Sequence, residues 1–178
     1  MKVWAKQTGF TIVELLIVIV VVAILAAITV VAYNGIQNRG YDSTVNVDLA
    51  NLSKQLELLR VDATDGNYPY GNPAFTFNLK VNKNAYLVNS SNPYNLLVCF
   101  PAAVNSSQFI ALAASKSGKR FTISNGGSVQ EYTGGVSWNN AADFICAAMK
   151  TTGWVGAASG YNSGDTTTGP WRSWAGGN

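Results

Sequence analysis

The chain has 178 residues, a formal charge of +3 and no histidine. Its length admits one ordinary domain plus an appendage, and the missing histidine removes the commonest general base and the commonest metal ligand. The basic excess does not argue for a nucleic-acid partner, because without Lys2 and Lys6 ten basic residues face nine acidic ones.

The N-terminus starts as a short basic stretch and turns into an apolar run. From Leu15 to Tyr33 no residue is charged, enough to cross a hydrocarbon core about 30 Å thick. Glu14 stands at the head of this run, where a carboxylate opposes insertion. An ordinary secretory signal cut after Val30-Val31-Ala32 leaves that acid unexplained, and so does a permanent anchor with Lys2 and Lys6 kept inside.

The helical pattern extends from Phe10 to about Arg60. In its second half Val45, Leu49, Leu52, Leu56 and Leu59 recur at spacings of four and three, which puts them on one face, with Asp48, Lys54, Gln55 and Glu57 off it. Gly35 and Gly40, between the halves, each cost a helix about 1 kcal/mol relative to alanine and are the candidate hinge. Continuous helix over this range would span about 75 Å at 1.5 Å per residue, so the first half is expected to project and the second to pack.

After a loop punctuated by Gly66, Pro69, Gly71 and Pro73 the period changes to two. Phe75, Phe77, Leu79 and Val81 alternate with polar residues, the pattern of a half-buried strand. Further strands are expected at 85–89, 94–100, 108–114, 120–124 and 128–132, the later ones joined by short hairpin turns. "NAADFICAAMK" reads as a short helix carrying Cys146. A helix ahead of a run of strands makes the fold class α+β, with an antiparallel sheet covering the striped helix face.

Residues 147–178 are rich in Gly, Ser and Thr and read as an irregular C-terminal tail, since such composition seldom builds a core. Trp154, Trp171 and Trp174 in this tail either pin it to the sheet or form a surface that binds a ligand or partner. Cys99 and Cys146 lack metal-site spacing, and a pair in a chain with an export-like start predicts one disulfide, the other reading being two buried thiols. Lys116, Lys119 and Arg120 cluster at a turn, where a solvated tip is the default reading. No Gly-x-Ser-x-Gly elbow, P-loop or dinucleotide fingerprint occurs, so no catalytic residue, cofactor or metal site is expected.

"KQTGFTIVELLIVIVVVAILAAI" resembles the class III signal of type IV prepilins: a short basic leader ending in Gly9, Phe10 as first mature residue, Thr11, Glu14 four residues after Phe10, then the apolar run. The resemblance implies a leader at 1–9, a transmembrane and filament-core helix at 10–34, and a pilin headpiece at 35–178. It implies cleavage between Gly9 and Phe10 by a prepilin peptidase and methylation of the Phe10 amine. The subunit would sit in the cytoplasmic membrane, N-terminus inside, until the inner-membrane assembly machinery moves it into a homopolymeric surface filament. There the Glu14 carboxylate would pair with the Phe10 amine of a neighbouring copy, which sets the register of packing. The implied function is structural, in motility, adhesion or DNA uptake. The alternatives are a minor pilin that binds a surface ligand and a pseudopilin of a type II secretion system. Unlike many pilins, the chain has no proline in its apolar run and continues well past its second cysteine.

Overall fold

The computed structural model describes residues 9–68, 78–88, 94–101, 107–135, 142–149, 154–160, 171 and 175. The chain divides into two compact units, Met1–Gln37 and Asn38–Asn178. Helix α1, Ile12–Asp62, passes from the first into the second. It is helical through both Gly35 and Gly40, so neither glycine interrupts it.

In the first unit every described residue is exposed, including Phe10, Leu15, Ile19, Leu25 and Ile28. This stretch is long and apolar enough to cross a membrane, and none of it is buried by the rest of the chain. The second unit is built around an antiparallel sheet of β1 (Leu96–Pro101), β2 (Ile110–Ala114), β3 (Arg120–Ser124), β4 (Gln130–Glu131) and β5 (Trp154–Ser159). Its order is β4-β3-β2-β1-β5, and every neighbouring pair is antiparallel.

Both faces of the sheet are covered. Val45, Leu49, Leu52 and Leu56 of α1 form one core with Leu96, Val98, Phe100, Ala111, Ala113, Phe121 and Ile123. On the other face Leu97, Cys99, Ile110, Leu112 and Ala114 pack with Ile145 and Cys146 of helix α2, Ala142–Met149. A strand with helices on both sides has no solvent face, and β2 is accordingly buried at all five positions. The Cys99–Cys146 disulfide ties α2 to the sheet, with a Cα–Cα distance of 5.6 Å and both residues fully buried.

The hairpin turns use glycine where the backbone turns left-handed: Gly118 (φ 92°) between β2 and β3, and Gly126 (φ 60°) between β3 and β4. The β2–β3 turn also reaches α1, where the Ser117 hydroxyl bonds to Asp42 at 2.5 Å.

Several expectations need correction. Of the strand expected at 85–89, the described residues 85–88 form none: Lys83–Ala85 is a 3-10 turn, capped by the Asn82 side chain, and Tyr86 makes a single bridge to Ser115. Residues 78–82 keep the alternating burial expected of a strand but join no ladder: Leu79 and Val81 are buried and Asn78 and Lys80 exposed. Phe75 and Phe77 lie outside the described residues. The tail is not wholly irregular, because β5 completes the sheet by pairing with the open edge of β1. The disulfide holds the preceding helix against β1, and small residues then allow close approach: a Cβ at Gly160 would lie 2.7 Å from Leu96 Cδ2. Finally, Asp48 is not on a solvated face. It is 6% exposed, and its Oδ2 accepts from the Tyr86 hydroxyl at 3.0 Å and the Asn82 N–H at 3.3 Å.

Candidate functional site

Three regions carry the residues singled out from the sequence. The first is the start of α1. Thr11 is the residue before the first helical turn, and its hydroxyl accepts the Glu14 N–H at 3.2 Å. Glu14 reaches back: its Oε2 accepts the Thr11 N–H at 2.9 Å and the Thr11 hydroxyl at 2.8 Å. This is a capping box, in which each residue satisfies a donor that the helix leaves unpaired. Its sequence signal is the Thr-x-x-Glu spacing of "TIVE". Glu14 thus has a role within its own chain, the organisation of the first helical turn. Both Thr11 donors go to Oε2, and Oε1 has no partner among the described residues. Gly9 and Phe10 precede the helix in irregular backbone, with Phe10 85% exposed. A Cβ at Gly9 would meet no atom within 4 Å, so no described residue crowds Gly9 at the Gly9–Phe10 bond.

The second region is the set of tail tryptophans, which the structure does not gather on one surface. Trp154 packs beside the α2-facing core and Trp171 beside the α1-facing core, on opposite faces of the sheet. Trp171 is half-buried against Tyr86, edge to face at 5.5 Å between centroids, with the Lys83 ammonium 6.0 Å from its ring. It pins the tail as an anchor. Trp154 instead lines a cavity of about 350 Å³ with Ser107, Gln108, Phe109, Ser124 and Asn125. Trp174 lies outside the described residues.

The third is the basic turn, whose charges are engaged. Lys119 pairs with Glu131 at 2.7 Å, which raises the Lys119 pKa, and the Lys116 ammonium lies 5.4 Å from the Tyr41 ring centroid. No groups of three or more potential metal-ligating side chains occur among the described residues. Asp65 is occupied locally, its Oδ1 accepting the Asn67 N–H at 3.1 Å.

Residues 4–30 match the family model described as the prokaryotic N-terminal methylation motif. The N-terminus is therefore a class III signal. This motif supports a prepilin of the type IV pilin or pseudopilin kind, held in the membrane by its apolar helix before assembly. No curated protein and no solved structure matches the chain significantly. The match ends inside the first unit, and the head of the molecule rests on its own structure.

Proposed function

We propose that the chain is a structural subunit of a type IV pilus, without catalytic activity, that polymerises with copies of itself through the first half of α1. The observation that carries this reading is the coincidence of a methylation signal with an apolar helical surface left wholly exposed by the folded chain. Cleavage between Gly9 and Phe10 releases the leader, and methylation of the Phe10 amine keeps its positive charge. The apolar surface, solvated by lipid before assembly, is then covered by the same surface of other copies.

Glu14 acts twice in this scheme. Its Oε2 holds the capping box, and Oε1 accepts from the Phe10 amine of an adjacent subunit. Among aliphatic side chains a carboxylate without that partner is costly, so the pair penalises wrong axial registers more than it adds stability. The test is Glu14→Ala beside Glu14→Gln, which retains a capping oxygen but not the charge. Both should insert and lose the leader normally, and both should form few filaments. Normal filament yield from Glu14→Gln would overturn the charge-pairing role.

Abundance in sheared filaments separates a major subunit from a minor pilin. The pseudopilin alternative predicts a short periplasmic fibre in place of surface filaments.

A further inference from the structure

The cavity beside Trp154 has the composition of a binding site that the filament function does not use. It opens at one end of the sheet, where Ser107, Gln108 and Phe109 lead into β2, Ser124 and Asn125 close β3, and Trp154 opens β5. We infer that this pocket binds a neutral saccharide.

The lining defines the ligand class. None of the six described lining side chains is ionisable, so against them a charged ligand would lose hydration without gaining an opposite charge. A purely apolar ligand fits no better, because it would strip water from the Ser107 and Ser124 hydroxyls without replacing it. Hydroxyls both donate and accept. A sugar ring matches this mixture: its hydroxyl edge donates and accepts in turn, and its C–H face lies against an aromatic plane such as the Trp154 indole. The volume is at the small end of ligand pockets and suits one or two sugar rings.

The wall is also built in advance. Asn125 Nδ2 donates to the Ser107 carbonyl at 2.6 Å and to the Tyr68 hydroxyl at 2.9 Å, and Asn125 Oδ1 accepts the Phe109 N–H at 2.7 Å. The Tyr68 hydroxyl in turn donates to Glu57 Oε1 of α1 at 2.5 Å. Trp154 sits at the start of β5, paired with Pro101 and packed beside the core that contains the disulfide. A pocket already ordered in the free protein loses little entropy on binding.

The experiment is saturation-transfer NMR on the full-length chain in a detergent without a sugar headgroup. The probes are glucose, galactose, mannose, N-acetylglucosamine and N-acetylgalactosamine. At least one should bind with a millimolar Kd. Trp154→Ala should weaken it by about tenfold or more, as loss of an aromatic anchor does, and Ser124→Ala by a few-fold, with Trp171→Phe unchanged. Ser124 is half-exposed, so its alanine variant keeps the fold and carries the test if Trp154→Ala unfolds. Absence of transfer to all five sugars, or binding indifferent to Ser124→Ala, would overturn the proposal. So would binding only of an uncharged peptide used as the control probe.

Discussion

Replacing Tyr86 by Phe removes one hydroxyl from the interior and leaves the shape of the core unchanged. That hydroxyl donates to Asp48 Oδ2 at 3.0 Å, in a site where Tyr86 is 2% and Asp48 6% exposed. Burial pushes the Tyr86 pKa well up, so the group stays protonated and remains a donor. A hydrogen bond to a charged acceptor contributes about 1.5–3 kcal/mol, and a buried carboxylate deprived of it retains only the longer contact to the Asn82 N–H. Taking about 2 kcal/mol, the midpoint of thermal unfolding should fall by about 4–8 °C for a chain of this size.

The pH dependence distinguishes this cause from a packing defect. Burial raises the Asp48 pKa, opposed by the bonds from Tyr86 and Asn82. The folded state therefore holds a proton that the unfolded chain, with a pKa near 3.9, releases. Stability from this group is fully present below about pH 3.9 and declines as pH rises through the folded-state pKa. Tyr86→Phe removes a bond that favours the charged form, so its deficit should shrink on acidification. Asp48→Asn keeps an oxygen for both donors and should flatten the pH slope. Near-UV circular dichroism melts across pH would measure both effects. A Tyr86→Phe deficit that grows on acidification, or an unchanged slope in Asp48→Asn, would refute the reasoning.

Cys99→Ser should destabilise the head by about 4 kcal/mol, since the bridge closes a loop across a sequence separation of 47; a reducing agent that leaves the melting midpoint unmoved would contradict this. Leu52→Ala, at a position with no exposure, should cost about 2–5 kcal/mol, read by chemical denaturation. Gly160→Val should destabilise by at least about 1 kcal/mol through the clash with Leu96, with normal melting as the contrary result. Gly35→Ala and Gly40→Ala have open space for the added methyl and should each stabilise the helix by about 1 kcal/mol. If these glycines act as a hinge during assembly, the double variant should also assemble more slowly, and an unchanged assembly rate would remove that role.

The parts of the head legible in advance were those whose burial pattern is periodic. Leu49, Leu52 and Leu56 announce a helix face, and "RFTIS" alternates in sequence and in burial. β5 was invisible for the opposite reason: "WVGAAS" has little aliphatic bulk, and it pairs because α2 and its disulfide deliver it to the edge of β1. Asp48 misled because a charge beside an apolar stripe normally faces water, whereas here donors 34 and 38 residues away satisfy it. The segment at Tyr86 looked like a strand because tertiary contacts, unlike local alternation, decide whether a ladder partner exists. At the N-terminus the signal itself was readable. Glu14's capping bonds were readable too, but the helix start at Ile12 was needed to give "TIVE" its meaning.

The most direct test of the central claim is the intact mass of protein sheared from the cell surface. Processing as a type IV prepilin predicts a chain lacking Met1–Gly9, carrying one added methyl at Phe10, and short of two hydrogens for the Cys99–Cys146 bridge. A mass beginning at Tyr33, as ordinary signal cleavage would give, or one that retains the leader, would contradict it.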